Sequence, residues 1–366
     1  MRIGIITLAL STNYGGNLQA YALQKVLEHL GHEVVVINKP PYFELPSLKS
    51  ISKRYIHNLF VSNKVDVYVE KHLNEKIEAG VNNNTKSLRI ANRFINQYIK
   101  QKSIKFFSEL RCEDFDAFLV GSDQCWRPVY ANPIQGYYLD FAKSWNVKRV
   151  VYAASFGVEK WEYSENDTIK CRELAKLFDA ISVREDSGVE LCRSYLGIEA
   201  KHVLDPTMLL NKEDYIAIID KFKKVYCPQP INDLFCYFLD VTEQKRTLLS
   251  SVCKALNYTT TLCDEFYVEE WLNAFFTAKM VIVDSFHGVV FSIIFNKPFW
   301  VIGNAKRGNA RFSSLLKLFE LDDRLVNPDN YSLIDWNSKI DWVKVNRILL
   351  TQKMISLNFI VDNFKK

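Results

Sequence analysis

Short apolar runs recur along this chain, each ending abruptly in polar residues and most separated by stretches of helical period; that alternation constrains the fold more than any other feature. Arg2–Thr7 is rich in isoleucine, Leu18–Leu30 sets Ala20, Leu23, Leu27 and Leu30 at helical spacing, and Glu33–Lys39 carries the unbroken run Val34-Val35-Val36-Ile37. An unbroken apolar run suits a strand covered on both faces. The polar segment Ser11–Gly16 reads as the loop before the helix, and Gly31 as the residue that ends it, where positive φ is tolerated. Strand, helix and strand in this order form a βαβ unit, whose crossover helix makes the two strands parallel.

The pattern resumes at Ala117–Val120, Val150–Ala154 and Ala180–Val183, and Val203-Leu204 leads to Asp205-Pro206-Thr207. Pro206 and Pro228-Gln229-Pro230 mark the passage to a second domain that repeats the theme. Strands are expected at Leu234–Leu239, Thr259–Leu262, Met280–Val283 and Phe299–Ile302, with helices at Gln244–Leu256, Glu269–Ala278, His287–Phe295 and Arg311–Phe319. Between the first two sheet-like blocks, residues 41–110 are dominated by Lys, Asn and aromatic residues, with helical spacing in Leu88–Leu110. The expected architecture is α/β, with two Rossmann-like domains facing across a cleft: 1–205, carrying a helical insertion at about 41–110, and 206–342. A final helix over 343–366 would pack back on the first domain. A length of 366 residues accommodates this.

Several classes are excluded. Hydrophobic residues at 48% and charged residues at 24% fit a soluble globular chain. The net charge of +5 is mild and its cations are scattered, so no nucleic-acid partner is expected. None of the eight cysteines forms a CxxC pair and no histidine pair lies nearby, so neither a metal site nor a disulfide framework is expected. The apolar start Met1–Leu8 lacks the basic region and the cleavage site of a signal peptide and reads as a strand. The stretch Val289–Ile302 is broken by Asn296, Lys297 and Pro298, so no segment is expected to span a bilayer. A cytoplasmic location follows, with association at the inner membrane face left open. Nothing in the sequence sets an oligomeric state.

In open parallel sheets ligands bind beyond the carboxyl ends of the strands, and four strand ends here carry unusual polar residues. Asn13-Tyr14-Gly15-Gly16-Asn17 is either a glycine-lined approach to an anion or polar ligand, or an ordinary tight turn. Gly121-Ser122-Asp123-Gln124, with Trp126 and Arg127, offers a carboxylate, an amide and an aromatic ring suited to a sugar, or else Asp123 is a helix cap. Arg184-Glu185-Asp186-Ser187 places an arginine that either clamps a phosphate or carboxylate or forms an internal salt bridge. Asp284-Ser285-Phe286-His287-Gly288 puts a histidine between a buried strand and a helix, a setting that suits a titratable group near working pH. Lys306-Arg307-Gly308-Asn309-Ala310-Arg311 adds cations after the next strand, for a ligand or as a solvated loop.

These segments, in this order, resemble the polysaccharide pyruvyl transferase family. The resemblance rests on Asn13–Gln24, Gly121–Trp126, Ser182–Gly188, Leu204–Thr207, Asp284–Gly288 and Arg307–Arg311, and spans residues from about 2 to 325. It implies a fold similar to the GT-B architecture, phosphoenolpyruvate as donor, and a saccharide or lipid-linked oligosaccharide as acceptor. The product would be a pyruvate ketal on a bacterial surface polysaccharide, such as an exopolysaccharide or capsule. No cofactor is implied beyond phosphoenolpyruvate as co-substrate. Carried onto this chain, the resemblance makes His287 the acid–base group, with Asp123 assisting deprotonation or orienting the acceptor. Arg184, Arg307, Arg311, Ser285, Gly15, Gly16 and Asn17 would surround the donor, and Gln124, Trp126, Asn13 and Tyr14 the acceptor. Many relatives carry an arginine two residues before the histidine, where this chain has Ser285. The expectation is that Arg307 or Arg311 supplies that charge. Two rival readings share the fold: a nucleotide-sugar glycosyltransferase and a non-catalytic glycan-binding protein.

Overall fold

The computed structural model of the chain describes residues 1–40, 86–303, 310–327, 331 and 334–365. Its first half runs β1 (Arg2–Ile6), α1 (Tyr14–His29), β2 (Glu33–Asn38), α2 (Lys86–Tyr98), β3 (Gln101–Ser103), β4 (Ala117–Gly121), β5 (Lys148–Ala154), α3 (Glu165–Ala175), β6 (Ala180–Val183), α4 (Asp186–Leu191) and β7 (Lys201–His202). The strands form a seven-stranded sheet in the order β3-β2-β1-β4-β5-β6-β7, and every pairing is parallel. The second half runs α5 (Lys212–Lys223), β8 (Leu234–Tyr237), α6 (Glu243–Leu256), β9 (Thr260–Leu262), α7 (Val268–Thr277), β10 (Met280–Val283), α8 (Phe286–Ile294), β11 (Phe299–Ile302), α9 (Ala310–Leu318), β12 (Leu325–Val326) and α10 (Trp342–Phe364). It forms a second parallel sheet, β12-β11-β10-β8-β9.

Each sheet therefore has one point at which the strand order reverses: between β1 and β4 in the first, and between β10 and β8 in the second. Crossover helices leave to opposite faces there, which opens a crevice at the carboxyl ends of the two central strands.

Two local expectations change. The first helix begins at Tyr14, so Gly15, Gly16 and Asn17 lie in its first turn and not in a loop before it. Asn13 caps it, its Oδ1 accepting from Gly16 N at 3.1 Å, and Asn17 pins the approach by donating from Nδ2 to the Ser11 carbonyl at 2.7 Å. In the second, the helical spacing read over Leu88–Leu110 ends at Tyr98, and β3 follows as an edge strand. The strand joins because Val36 N donates to the Lys100 carbonyl at 2.8 Å and Lys100 N to Gln24 Oε1 at 2.8 Å. A helical insertion reaching 110 is thus corrected, and residues 41–85 lie outside the described residues.

The main core is continuous between the two sheets. It runs from Ile5 and Leu119 through Leu23 and Tyr215 to Val281 and Phe291. Separate clusters cover the far face of each sheet. The end of α10 packs against the first sheet: Ser356 Oγ accepts from Leu204 N at 2.9 Å, and the Phe359 ring lies 6.2 Å from that of Tyr152.

Candidate active site

The two reversal points open on one cleft of roughly 300 Å³. Leu8, Thr12 and Asn13 reach it after β1, Asp123 and Gln124 after β4, Tyr237 and Leu239 from the end of β8, and Ser285, Phe286 and His287 after β10; Tyr130 and Arg311 complete the lining. Asp284 sets the second rim without facing the cleft. Its carboxylate accepts from Leu239 N at 2.6 Å and is paired with Lys245, which ties the end of β10 to the segment after β8.

His287 sits in the first turn of α8 and is 5% exposed. Its ring is packed directly on Gly15 of the other domain: a Cβ added there would lie 1.9 Å from Nδ1. The glycine serves close approach, of an imidazole and not of the anion or polar ligand that the sequence suggests. On the other side Nε2 lies 3.5 Å from Asp205 Oδ2, within ion-pair reach but outside hydrogen-bond alignment.

Asp205 is the hub behind the histidine. Oδ1 accepts from the Thr207 N–H (3.0 Å) and hydroxyl (2.6 Å), and Oδ2 from Arg184 Nη1 (2.7 Å) and Ser122 Oγ (3.2 Å). Burial pushes this carboxyl up, but a charge on His287 and contact with it, the Arg184 guanidinium and the Thr207 hydrogen bonds outweigh burial and hold it well below the usual carboxylate range. Asp205 was legible only as part of a strand-end triplet, because a single sequence does not say which carboxylate meets which histidine.

The two arginines differ. Arg184 Nη1 pairs with Asp205 and Nη2 lies 3.4 Å from Asp123 Oδ1, with its side chain 1% exposed. Its charge is answered inside the protein, so the ligand clamp expected of it gives way to the internal salt bridge. Asp123 reaches it from a left-handed turn at φ +63, a conformation that Asp tolerates better than most residues. Arg311 lines the cleft, is 8% exposed, and forms no ion pair among the described residues; its Nε has no hydrogen-bond partner. Burial and the neighbouring charge of Arg184 bring it down to about 10. Both guanidiniums approach the Phe286 ring, at 4.3 and 5.9 Å. Arg307 lies outside the described residues.

Other expected residues are placed elsewhere. Trp126 is fully buried, stacked on Tyr138 at 4.6 Å with its N–H donated to the Tyr137 carbonyl, and belongs to the core on the far face of the first sheet. Tyr14 donates to the Phe266 carbonyl at 2.8 Å and stacks on Trp271 at 5.5 Å, so it joins the domains and does not line the cleft. Gly16 and Asn17 are engaged in the cap and turn before α1. Ser285 stands at the start of α8 with no capping bond and faces the cleft. Glu185, not anticipated, is buried and accepts from Ser155 Oγ and from the N–H groups of Phe156 and Gly157. No helix among the described residues is long and apolar enough to cross a membrane.

A family model described as polysaccharide pyruvyl transferase matches residues 13–306. A comparison with curated proteins finds no match. Among solved structures, the chain is similar to MurG of Acinetobacter baumannii (9% identity, TM-score 0.44, covering 99% of this chain and 98% of that one). It is also similar to UGT89C1 of Arabidopsis thaliana complexed with UDP-L-rhamnose (10%, 0.47, 98% of each chain). A third is UDP-GlcNAc 2-epimerase of Methanocaldococcus jannaschii in complex with UDP-GlcNAc and UDP (10%, 0.43, 96% and 93%).

Proposed function

This chain belongs to the polysaccharide pyruvyl transferase family, and on that premise we propose that it transfers the enolpyruvyl-derived group of phosphoenolpyruvate to a saccharide as a pyruvate ketal. The observation that carries the reading is Arg311: a buried cation that forms no ion pair among the described residues, offset only by the more distant charges of Asp123 and Glu185, on the same cleft as His287. The first turns of α1 and α8 meet at this cleft, and the positive ends of both helices add to the attraction for an anion. Phosphoenolpyruvate brings a phosphate and a carboxylate. Arg311 takes the role left open by Ser285.

The chemistry asks for one acid–base group. A proton delivered to C3 makes C2 electrophilic. One sugar hydroxyl adds to C2 and returns its proton to the base; phosphate departs with the C2–O electron pair; a second hydroxyl closes the ketal at C2 and its proton leaves with phosphate. His287 delivers and recovers the proton. Asp205 and Gly15 fix its ring from two sides, so the imidazole is oriented before substrate arrives.

The test is phosphate release from phosphoenolpyruvate, stimulated by an acceptor saccharide, alongside calorimetry with phosphoenolpyruvate and with UDP. Stimulated release with His287→Ala reduced about 10²–10⁴-fold is the expected result. Binding of UDP without phosphoenolpyruvate would instead identify a nucleotide-sugar enzyme. Saccharide binding with no phosphate release would identify a non-catalytic protein.

A further inference from the structure

Trp126, the aromatic residue anticipated for an acceptor sugar, is locked in the core, and the cleft has a different aromatic at its rim. Tyr130 lines the cleft and is 43% exposed. An exposed ring is ordinarily free to reorient, but this one is fixed from behind. The Arg127 guanidinium lies 5.5 Å from its centroid, and Tyr130 N donates to the Arg127 carbonyl at 3.0 Å. Arg127 is itself held by both oxygens of Glu162, Nε to Oε2 at 2.8 Å and Nη2 to Oε1 at 3.0 Å. Its Nη1 donates to Gln124 Oε1 at 3.3 Å, so the same arginine also fixes the amide that lines the cleft beside Tyr130.

We infer that Tyr130 is the platform for a pyranose ring of the acceptor, whose apolar C–H face rests on the tyrosine while its hydroxyl edge meets Gln124. The inference deepens the pyruvyl-transfer reading and rests on it for the identity of the acceptor as a saccharide. Three physical points carry it. A tyrosine ring offers a large amphipathic contact with few torsions to freeze, and here they are already restrained. With Oε1 engaged by Arg127, the NH2 group of Gln124 is left to donate to a sugar oxygen. From the other domain Leu239, 39% exposed, supplies a second apolar surface to the same cleft. Tyr130 and Arg311 line the same cleft, so a sugar seated here shares it with the proposed donor site.

The test is saturation-transfer difference NMR on the full chain with methyl β-D-galactopyranoside and methyl β-D-glucopyranoside, paired with calorimetry of phosphoenolpyruvate. Saturation should pass to ring C–H protons of at least one glycoside. Tyr130→Ala should weaken that binding roughly tenfold or more, Tyr130→Phe should retain it, and both variants should bind phosphoenolpyruvate within about threefold of the original chain. Glycoside binding that survives Tyr130→Ala, or no glycoside binding by the unmodified chain, overturns the platform. If phosphoenolpyruvate fails to bind while glycosides bind in a Tyr130-dependent way, the platform stands and the pyruvyl-transfer reading falls.

Discussion

Gly15 leaves no room for a side chain against the histidine. Replacing it with alanine improves intrinsic helix propensity by about 1 kcal/mol, yet the new methyl would lie 1.9 Å from His287 Nδ1. Gly15→Ala should therefore keep the fold, as read by circular dichroism, while displacing the imidazole and lowering turnover about 100-fold; near-normal turnover would show that the ring's position is not critical. Arg311 offers a pH test. Its folded value of about 10 lies below its ordinary one, so its buried charge weakens the fold at neutral pH, and that cost is relieved only as pH rises through about 10. A bound anion needs the protonated form. Phosphoenolpyruvate affinity, followed by calorimetry, should accordingly fall as pH rises through about 10, and Arg311→Met should lose about 1.5–3 kcal/mol of binding. Asp205 has the opposite sign. Its lowered value contributes stability above the ordinary carboxylate value of 3.8, and that contribution fades as pH falls below it. Asp205→Asn leaves Arg184 with only the 3.4 Å contact to Asp123, a loss of about 3–5 kcal/mol by chemical denaturation at neutral pH, narrowing in acid.

Among the elements, α10 shows how burial divides one helix. Ile360 and Ser356 are fully buried and Phe359 nearly so, whereas Val343, Leu350 and Met354 are exposed. Ile360→Ala should cost about 2–5 kcal/mol in denaturant unfolding, and Leu350→Ser no more than about 0.5 kcal/mol. An equal cost at both positions would mean that the helix is covered on both sides. The apolar period predicts this helix to within a residue or two at either end, and the strands Ala180–Val183, Met280–Val283 and Phe299–Ile302 are as read from their unbroken apolar runs. The elements that escape are those whose cause is not apolar period. The start of α1 is set by a side-chain cap from Asn13, and β3 by two hydrogen bonds to neighbours distant in sequence.

At the scale of the molecule, the two sheets share one apolar core, and polar contacts reinforce it. Arg93 of α2 pairs with the buried Glu269 of α7 at 2.7 Å, beneath the rings of Tyr226 and Tyr267, and Asp186 N donates to Ser314 Oγ at 3.0 Å. Domains joined by small polar interfaces move readily, whereas a large apolar one resists. Opening this cleft widely would expose the shared core, so small-angle scattering should give the same radius of gyration with and without phosphoenolpyruvate. A contraction of several ångströms on binding would show that the domains close on the substrate.

By itself the sequence determined the alternation of strands and helices, the two parallel sheets and the polar strand ends that line the cleft, because apolar period and the polar residues that end it are local properties. The tertiary structure alone decided which of those polar residues act together. Arg184 and Arg311 read alike as strand-end cations, yet the first forms ion pairs with two carboxylates from distant segments and the second forms none among the described residues. Trp126 and Tyr130, only a few residues apart, divide between core and cleft. Pairing of charges and the side on which a ring is covered depend on residues brought together by packing, which no local pattern records.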